Sequence, residues 1–163
     1  MAFGSSLGAD VPFLLSQKPA LASGIGEKLE PYREPLPYRV IIVDPGFGIS
    51  TAEVFQKLNL RLTKCKKKIT KPSLKKTGFN VALHLCNDLE AVTVFKYPEI
   101  KLVKEQLVKH GALGALMSGS GPTVFGLFSD PEKAEQAMLA IGRNPRWNAY
   151  LTEIIYDINS VDF

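Results

Sequence analysis

Along this chain, apolar positions alternate between a period of two and a period near 3.6, and the switches between them predict the elements. Arg39-Val40-Ile41-Ile42-Val43 is a β-branched run that predicts a strand. Asp44-Pro45-Gly46-Phe47-Gly48 turns the chain, and Ser50 with Glu53 three residues on makes a capping-box pattern for a helix through about Leu60. Asn87 or Asp88 can cap a helix from about Leu89 to Lys96, and Pro98 suits the first turn of another. In that second helix Ile100, Val103 and Leu107 recur at i, i+3 and i+7, and Gly111 supplies a stop. Two apolar runs, at about 113–117 and 123–128, then flank Ser118-Gly119-Ser120-Gly121-Pro122. Asp130 before Pro131 starts a helix through Ala134, Ala137, Met138 and Ile141 to Gly142, and Tyr150 to Tyr156 reads as a closing strand.

Strand, helices, strand, strand, helix, strand is the order of an α+β, ferredoxin-like split βαβ plan with extra helices in its first crossover. That plan hosts many functions and selects none of them. Residues 1–38 read as loop-rich instead. Pro12 is expected to hold Val11 extended, with Asp10 where the chain changes direction and Phe13-Leu14-Leu15 anchoring that corner in a core. Ala20-Leu21-Ala22-Ser23 and then Gly24-Ile25-Gly26-Glu27 read as a short strand and a turn. Pro31, Pro35 and Pro37 mark a boundary.

A length of 163 residues suits one domain or one domain with a fragment of another, and 45% hydrophobic residues suffice for a core. The net charge of +4 owes much to Lys64-Cys65-Lys66-Lys67-Lys68, with Lys71, Lys75 and Lys76 behind it. Aromatic residues do not interleave with these lysines as a nucleic-acid strand would require, so the run reads as a solvated, mobile linker. Cys65 and Cys86 lack metal-ligand spacing and are read as reduced thiols in a cytosolic protein, with no metal site expected. His84 and His110 stand apart from any triad pattern and read as structural or surface residues. No apolar stretch approaches the roughly 18 residues of a membrane span, and no signal-peptide layout opens the chain, so no membrane partner is expected.

Two places could carry chemistry. Gly119 and Gly121 permit positive φ, so the turn that holds them is either an ordinary hairpin or a concave anion site built from successive N–H groups. Asp10 is either a helix cap or a carboxylate held as a general base.

Five segments in register then narrow the choice. Gly8-Ala9-Asp10-Val11-Pro12-Phe13, Ser23-Gly24-Ile25-Gly26-Glu27, Ser50-Thr51-Ala52-Glu53, Asn87-Asp88-Leu89-Glu90 and Met117-Ser118-Gly119-Ser120-Gly121-Pro122 together resemble the GHMP kinase superfamily. The resemblance runs from about Gly8 to Tyr156, and it is to a branch acting on a cytidine-diphosphate-linked alcohol. It implies ATP as co-substrate with Mg²⁺, whose ligands are not identifiable in this chain, and a bacterial cytoplasmic or plant stromal setting. It implies that Asp10 is the catalytic base and that Ser118, Gly119, Ser120 and Gly121 back the phosphate loop and shape the cleft. Thr51 is implied as a substrate contact. Residues 1–38 would be the remnant of the family's N-terminal domain and residues 39–163 its C-terminal domain. The family's Pro-x-x-x-Gly-Leu-Gly-Ser-Ser-type phosphate loop and early lysine have no counterpart here, so little turnover is expected from this chain alone. With the first domain absent, residues 1–38 are expected to be poorly ordered and to favour self-association through exposed apolar side chains. Another GHMP kinase, or a non-catalytic ferredoxin-like binding module, is the competing reading.

Overall fold

In the computed structural model, residues 11–16, 18–24, 26, 28–32, 36–58, 65 and 84–154 are described. Their elements, in order, are α1 (Val11–Ser16), β1 (Ala20–Ser23), β2 (Lys28–Pro31), β3 (Arg39–Asp44), α2 (Thr51–Lys57) and α3 (Asp88–Lys96). After them come α4 (Glu99–Lys109), β4 (Gly114–Met117), β5 (Val124–Phe128), α5 (Pro131–Ile141) and β6 (Asn148–Glu153). The chain divides into two units, one spanning Pro37–Glu153 and one drawn from the residues before and after it.

In the Pro37–Glu153 unit, four strands form one antiparallel sheet in the order β4-β5-β3-β6. Numbered within that unit, the strands lie 2-3-1-4, the ferredoxin-like arrangement that the element order predicts. β3 is central because its β-branched residues alternate: Ile41 and Val43 are fully buried, while Arg39 at its exposed start pairs with Glu153 of β6 at 2.7 Å. Ile100, Val103 and Leu107 of α4 and Ala134, Ala137 and Ile141 of α5 share one core with Ile41, Val43, Val124 and Phe128. Burying each of the large aliphatic side chains contributes about 1.5–3 kcal/mol. α4 lies very close to β5, since a Cβ added to Gly126 would meet Leu107 Cδ2 at 3.0 Å.

Asp130 accepts from the N–H groups of Glu132 and Lys133, and Pro131 opens α5 as expected. Asn87 caps α3 by accepting from Leu89 N–H at 3.0 Å. Ser50 caps α2 by accepting from Glu53 N–H at 3.3 Å, but the carboxylate of Glu53 pairs with Lys57 and Lys96, so only one side of the capping box forms. α2 ends at Lys57 instead of near Leu60, because Leu58 is already extended with φ −68° and ψ 116°. β6 begins at Asn148 and ends at Glu153, and Ile155 and Tyr156 lie outside the described residues.

Among its described residues, the second unit holds a helix and a hairpin where the sequence reads as loop-rich. Val11 is helical and not extended, since a proline in the first turn of a helix gives up an N–H that has no partner there anyway. Pro12 is the buried residue of α1, whereas Phe13, Leu14 and Leu15 are exposed, so they do not anchor a core. β1 and β2 pair antiparallel as a hairpin from Ala20↔Pro31 to Ser23↔Lys28; the strand and turn were expected, its partner strand was not. Ile25 and Glu27 of that turn lie outside the described residues.

Candidate functional site

The turn between β4 and β5 is closed by its own backbone. Ser118 N–H donates to Thr123 O at 2.8 Å, and Gly121 N–H donates to Ser118 O at 3.0 Å. Gly119 and Gly121 have φ of +55° and +86°, in the left-handed region, and the Gly121–Pro122 bond is cis. A Cβ on Gly121 would stand 2.6 Å from the Sδ of buried Met117, so backbone lies directly on the core here. Among the described residues, no hydrogen-bond partner of the Gly119 and Ser120 N–H groups is found. Two adjacent N–H groups beside a left-handed residue are the donors that a concave anion site would use.

One face of α3 holds this turn. The Asn87 amide donates to Met117 O at 2.9 Å and to Gly119 O at 2.7 Å while its own carbonyl caps the helix. Three residues on, Glu90 Oε2 accepts from Met117 N–H at 2.9 Å, and its other oxygen takes the Lys104 ammonium in a half-buried ion pair. Three further on, the buried Thr93 hydroxyl donates to Leu89 O at 3.0 Å and stands 3.4 Å from Ser120 O. Residues 87, 90 and 93 follow one another along a single helical face. The sequence offers Asn87 as a cap and Asn87-Asp88-Leu89-Glu90 as one segment of the family resemblance, but gives neither Asn87 nor Glu90 a role at the turn and does not single out Thr93 or Lys104. The signal was there as an Asn-x-x-Glu-x-x-Thr polar stripe, on a helix whose neighbours are apolar.

The structure brings Thr51 to the same turn. Thr51 Oγ1 and Ser120 Oγ lie 2.8 Å apart, so the first residue of α2 is hydrogen-bonded to the middle of the turn. Four of the five cleft residues named from the sequence are contiguous, and the fifth meets them across 69 positions of chain. Asp10, the implied base, lies outside the described residues, as do the lysines of the 64–76 run.

Beside the turn, a cavity of about 730 Å³ opens between α2 and α3, lined by Ile49, Val54, Val92, Thr93 and Tyr97 among others. Glu53 Oε1 stands there between two ammonium groups, Lys57 Nζ at 2.7 Å and Lys96 Nζ at 2.6 Å. The hydrogen bond from Lys57, and then that from Lys96, lowers the Glu53 carboxyl to about 2, while Glu53 in turn raises Lys96.

Cys65 and Cys86 are not reduced thiols here: they form a disulfide, with Cα atoms 5.7 Å apart. Spacing of 21 residues hid the pairing, since only the fold could bring the two together. Among the described residues the one group of three potential metal ligands is Cys65, Cys86 and Asp88. Its sulfurs are bonded to each other and are soft donors, so it does not fit the oxygen-only shell that Mg²⁺ requires.

Comparison with known proteins finds a family and several relatives. Residues 66–146 match the family described as GHMP kinases C terminal. The 4-diphosphocytidyl-2-C-methyl-D-erythritol kinase of Syntrophotalea carbinolica is 45% identical over 94% of this chain and 54% of its own length. The protein of the same name from Geobacter metallireducens is 48% identical over 90% of this chain and 52% of its own. A crystal structure of 4-(cytidine 5'-diphospho)-2C-methyl-D-erythritol kinase superposes with a TM-score of 0.70 at 31% identity, covering 90% of this chain and 54% of that one. A homoserine kinase from Cytophaga hutchinsonii, at 18% identity and a TM-score of 0.60 over 80% of this chain and 46% of that one, shares the fold alone. The chain spans about half the length of the curated relatives it matches. It belongs to the GHMP kinases, and the residues that match the family's C-terminal model include α3, α4, β4, the turn, β5 and α5.

Proposed function

We propose that this chain serves in the ATP-dependent phosphorylation of the C2 hydroxyl of 4-diphosphocytidyl-2-C-methyl-D-erythritol, a step of non-mevalonate isoprenoid synthesis. The observation that carries this reading is 45% identity, over 94% of the chain, to a kinase that bears that substrate in its name. The geometry is in keeping with it. Phosphoryl transfer depends on positioning and on stabilising charge, and a turn held by Asn87, Glu90 and Thr93 offers its N–H groups without having to reorganise. Thr51, tied to Ser120, sets the edge where the cytidine-diphosphate substrate approaches.

In this reading Asp10 accepts the hydroxyl proton as the substrate oxygen attacks the γ-phosphate of ATP, and the Ser118–Gly121 turn backs the phosphates. Mg²⁺ would arrive with ATP and would neutralise charge on its phosphates. Because the chain spans about half of its relatives, the reading includes little turnover by these 163 residues alone. The exposed Phe13, Leu14 and Leu15 of α1 supply an apolar surface for self-association.

The test joins this chain to the N-terminal portion of the Syntrophotalea carbinolica relative and measures ATP-dependent phosphorylation of the cytidine-diphosphate alcohol. The joined protein should turn over and the chain alone should not. Asp10→Asn in the joined protein should lower kcat by at least about 100-fold with nucleotide affinity little changed. An unchanged kcat would return Asp10 to a capping role, and no phosphorylation of this substrate by the joined protein would overturn the reading.

A further inference from the structure

We propose that Cys65 and Cys86 are a reversible dithiol–disulfide pair whose state sets how firmly Asn87 clamps the turn between β4 and β5. This goes beyond the kinase reading and does not depend on it. Cys86 is exposed, so a small thiol or disulfide can reach its sulfur, whereas Cys65 is half-buried. Cys65 grips the start of α3 twice: its sulfur is bonded to Cys86, and its N–H donates to Asp88 Oδ1 at 3.0 Å. Those two attachments fall on the residues immediately before and after Asn87. Asn87 in turn holds Met117 O and Gly119 O, so what braces residues 86–88 braces the turn through two hydrogen bonds. When the disulfide opens, the Cys86 side of that brace is lost, and the Cys65 N–H on Asp88 and the helix that Asn87 caps remain.

The chemistry needs a low-molecular-weight disulfide of the glutathione type as oxidant. The Cys86 thiolate attacks it, forming a mixed disulfide and releasing one small thiol. The Cys65 thiolate then attacks the Cys86 sulfur and releases the second, so the protein gives up two electrons and two protons and the small disulfide takes up both. Two small thiols reverse the sequence.

The test holds the 163-residue chain in mixtures of reduced and oxidised glutathione, quenches with acid, alkylates free thiols with iodoacetamide and measures intact mass. Species carrying zero and two alkyl groups should interconvert with the glutathione ratio, with singly modified protein a minor species. Hydrogen exchange is then measured on a peptide covering 116–122 in the two end states. Exchange of the turn should be at least about threefold faster in the reduced state, while a peptide covering core residues 124–128 is unchanged. Cys86→Ser should show the faster exchange in both buffers. Independent alkylation of the two cysteines, glutathione adducts that never resolve, or the same exchange of the turn in both states would each overturn the proposal. All three are read on the unsubstituted chain, so they hold even if the variant does not fold.

Discussion

Ile100, Val103 and Leu107 of α4 are completely buried, whereas Phe13, Leu14 and Leu15 of α1 remain 43%, 67% and 67% exposed. Both sets are apolar triplets on helices, so hydrophobicity does not separate them. Spacing does. At i, i+3 and i+7 the α4 residues fall on one stripe, and that stripe faces the sheet. Three consecutive residues of a helix fan out by about 100° each, so no single flat surface can cover them all. The comparison teaches that a helix anchors through the period of its apolar residues, and that a solid apolar run on a short helix leaves most of its surface to solvent.

The sharpest test of this contrast pairs two substitutions of the same kind. Leu107→Ala should lower unfolding free energy by about 2–5 kcal/mol, since it opens a cavity where α4 presses on Gly126 of β5. Leu14→Ala should change it by no more than about 0.5 kcal/mol. Denaturant midpoints for the two variants decide the matter, and equal losses would erase the distinction.

Next in size is the clamp. Asn87→Ala removes a helix cap and leaves two carbonyls of the turn without their donor, which should cost about 2 kcal/mol. Asn87→Asp keeps the capping oxygen but loses the donor, so the difference between the two variants reports the cap alone. The same denaturation measurement checks both.

Exposure on α1 carries a different consequence. Leu14→Glu with Leu15→Glu should leave stability nearly unchanged and shift the chain toward monomer in light scattering. If the doubly substituted chain associates as strongly as the original, the α1 surface is not what holds copies together.

The smallest effect belongs to Glu53. Its folded carboxyl lies at about 2, below the ordinary value of 4.5, so its contribution is present above about pH 4.5 and fades as pH falls toward 2. Because the group is partly exposed, added salt should weaken the contribution at every pH. A carboxyl titration followed by NMR should show the low midpoint, and Lys57→Met with Lys96→Met should return it to near the ordinary range.

Much of the Pro37–Glu153 unit was readable from residue types. β3, α3, α4, the strands around the glycine turn and α5 follow from β-branched runs, caps and apolar period, because each of those signals acts within a few residues of chain. The misreadings have a common cause too. The capping-box pattern at Ser50 predicts a helix through about Leu60, yet the backbone turns extended at Leu58. Pro12 predicts an extended Val11, because proline disfavours helix before it, a preference that the opening of α1 overrides. Cys65 and Cys86 read as reduced thiols from the sequence, since nothing local links residues 21 apart.

By itself, then, the sequence determined the order of the elements in the sheet unit and the glycines that let the turn bend, and it named Thr51, Ser118, Gly119, Ser120 and Gly121 only through a family resemblance. Tertiary structure alone decided that Asn87, Glu90 and Thr93 would hold that turn, that Thr51 would reach Ser120, and that two distant cysteines would join beside the clamp. Caps, periods and turns are written in neighbouring residues, whereas a hydrogen bond between α3 and the β4–β5 turn exists only once the sheet has set the distance between them.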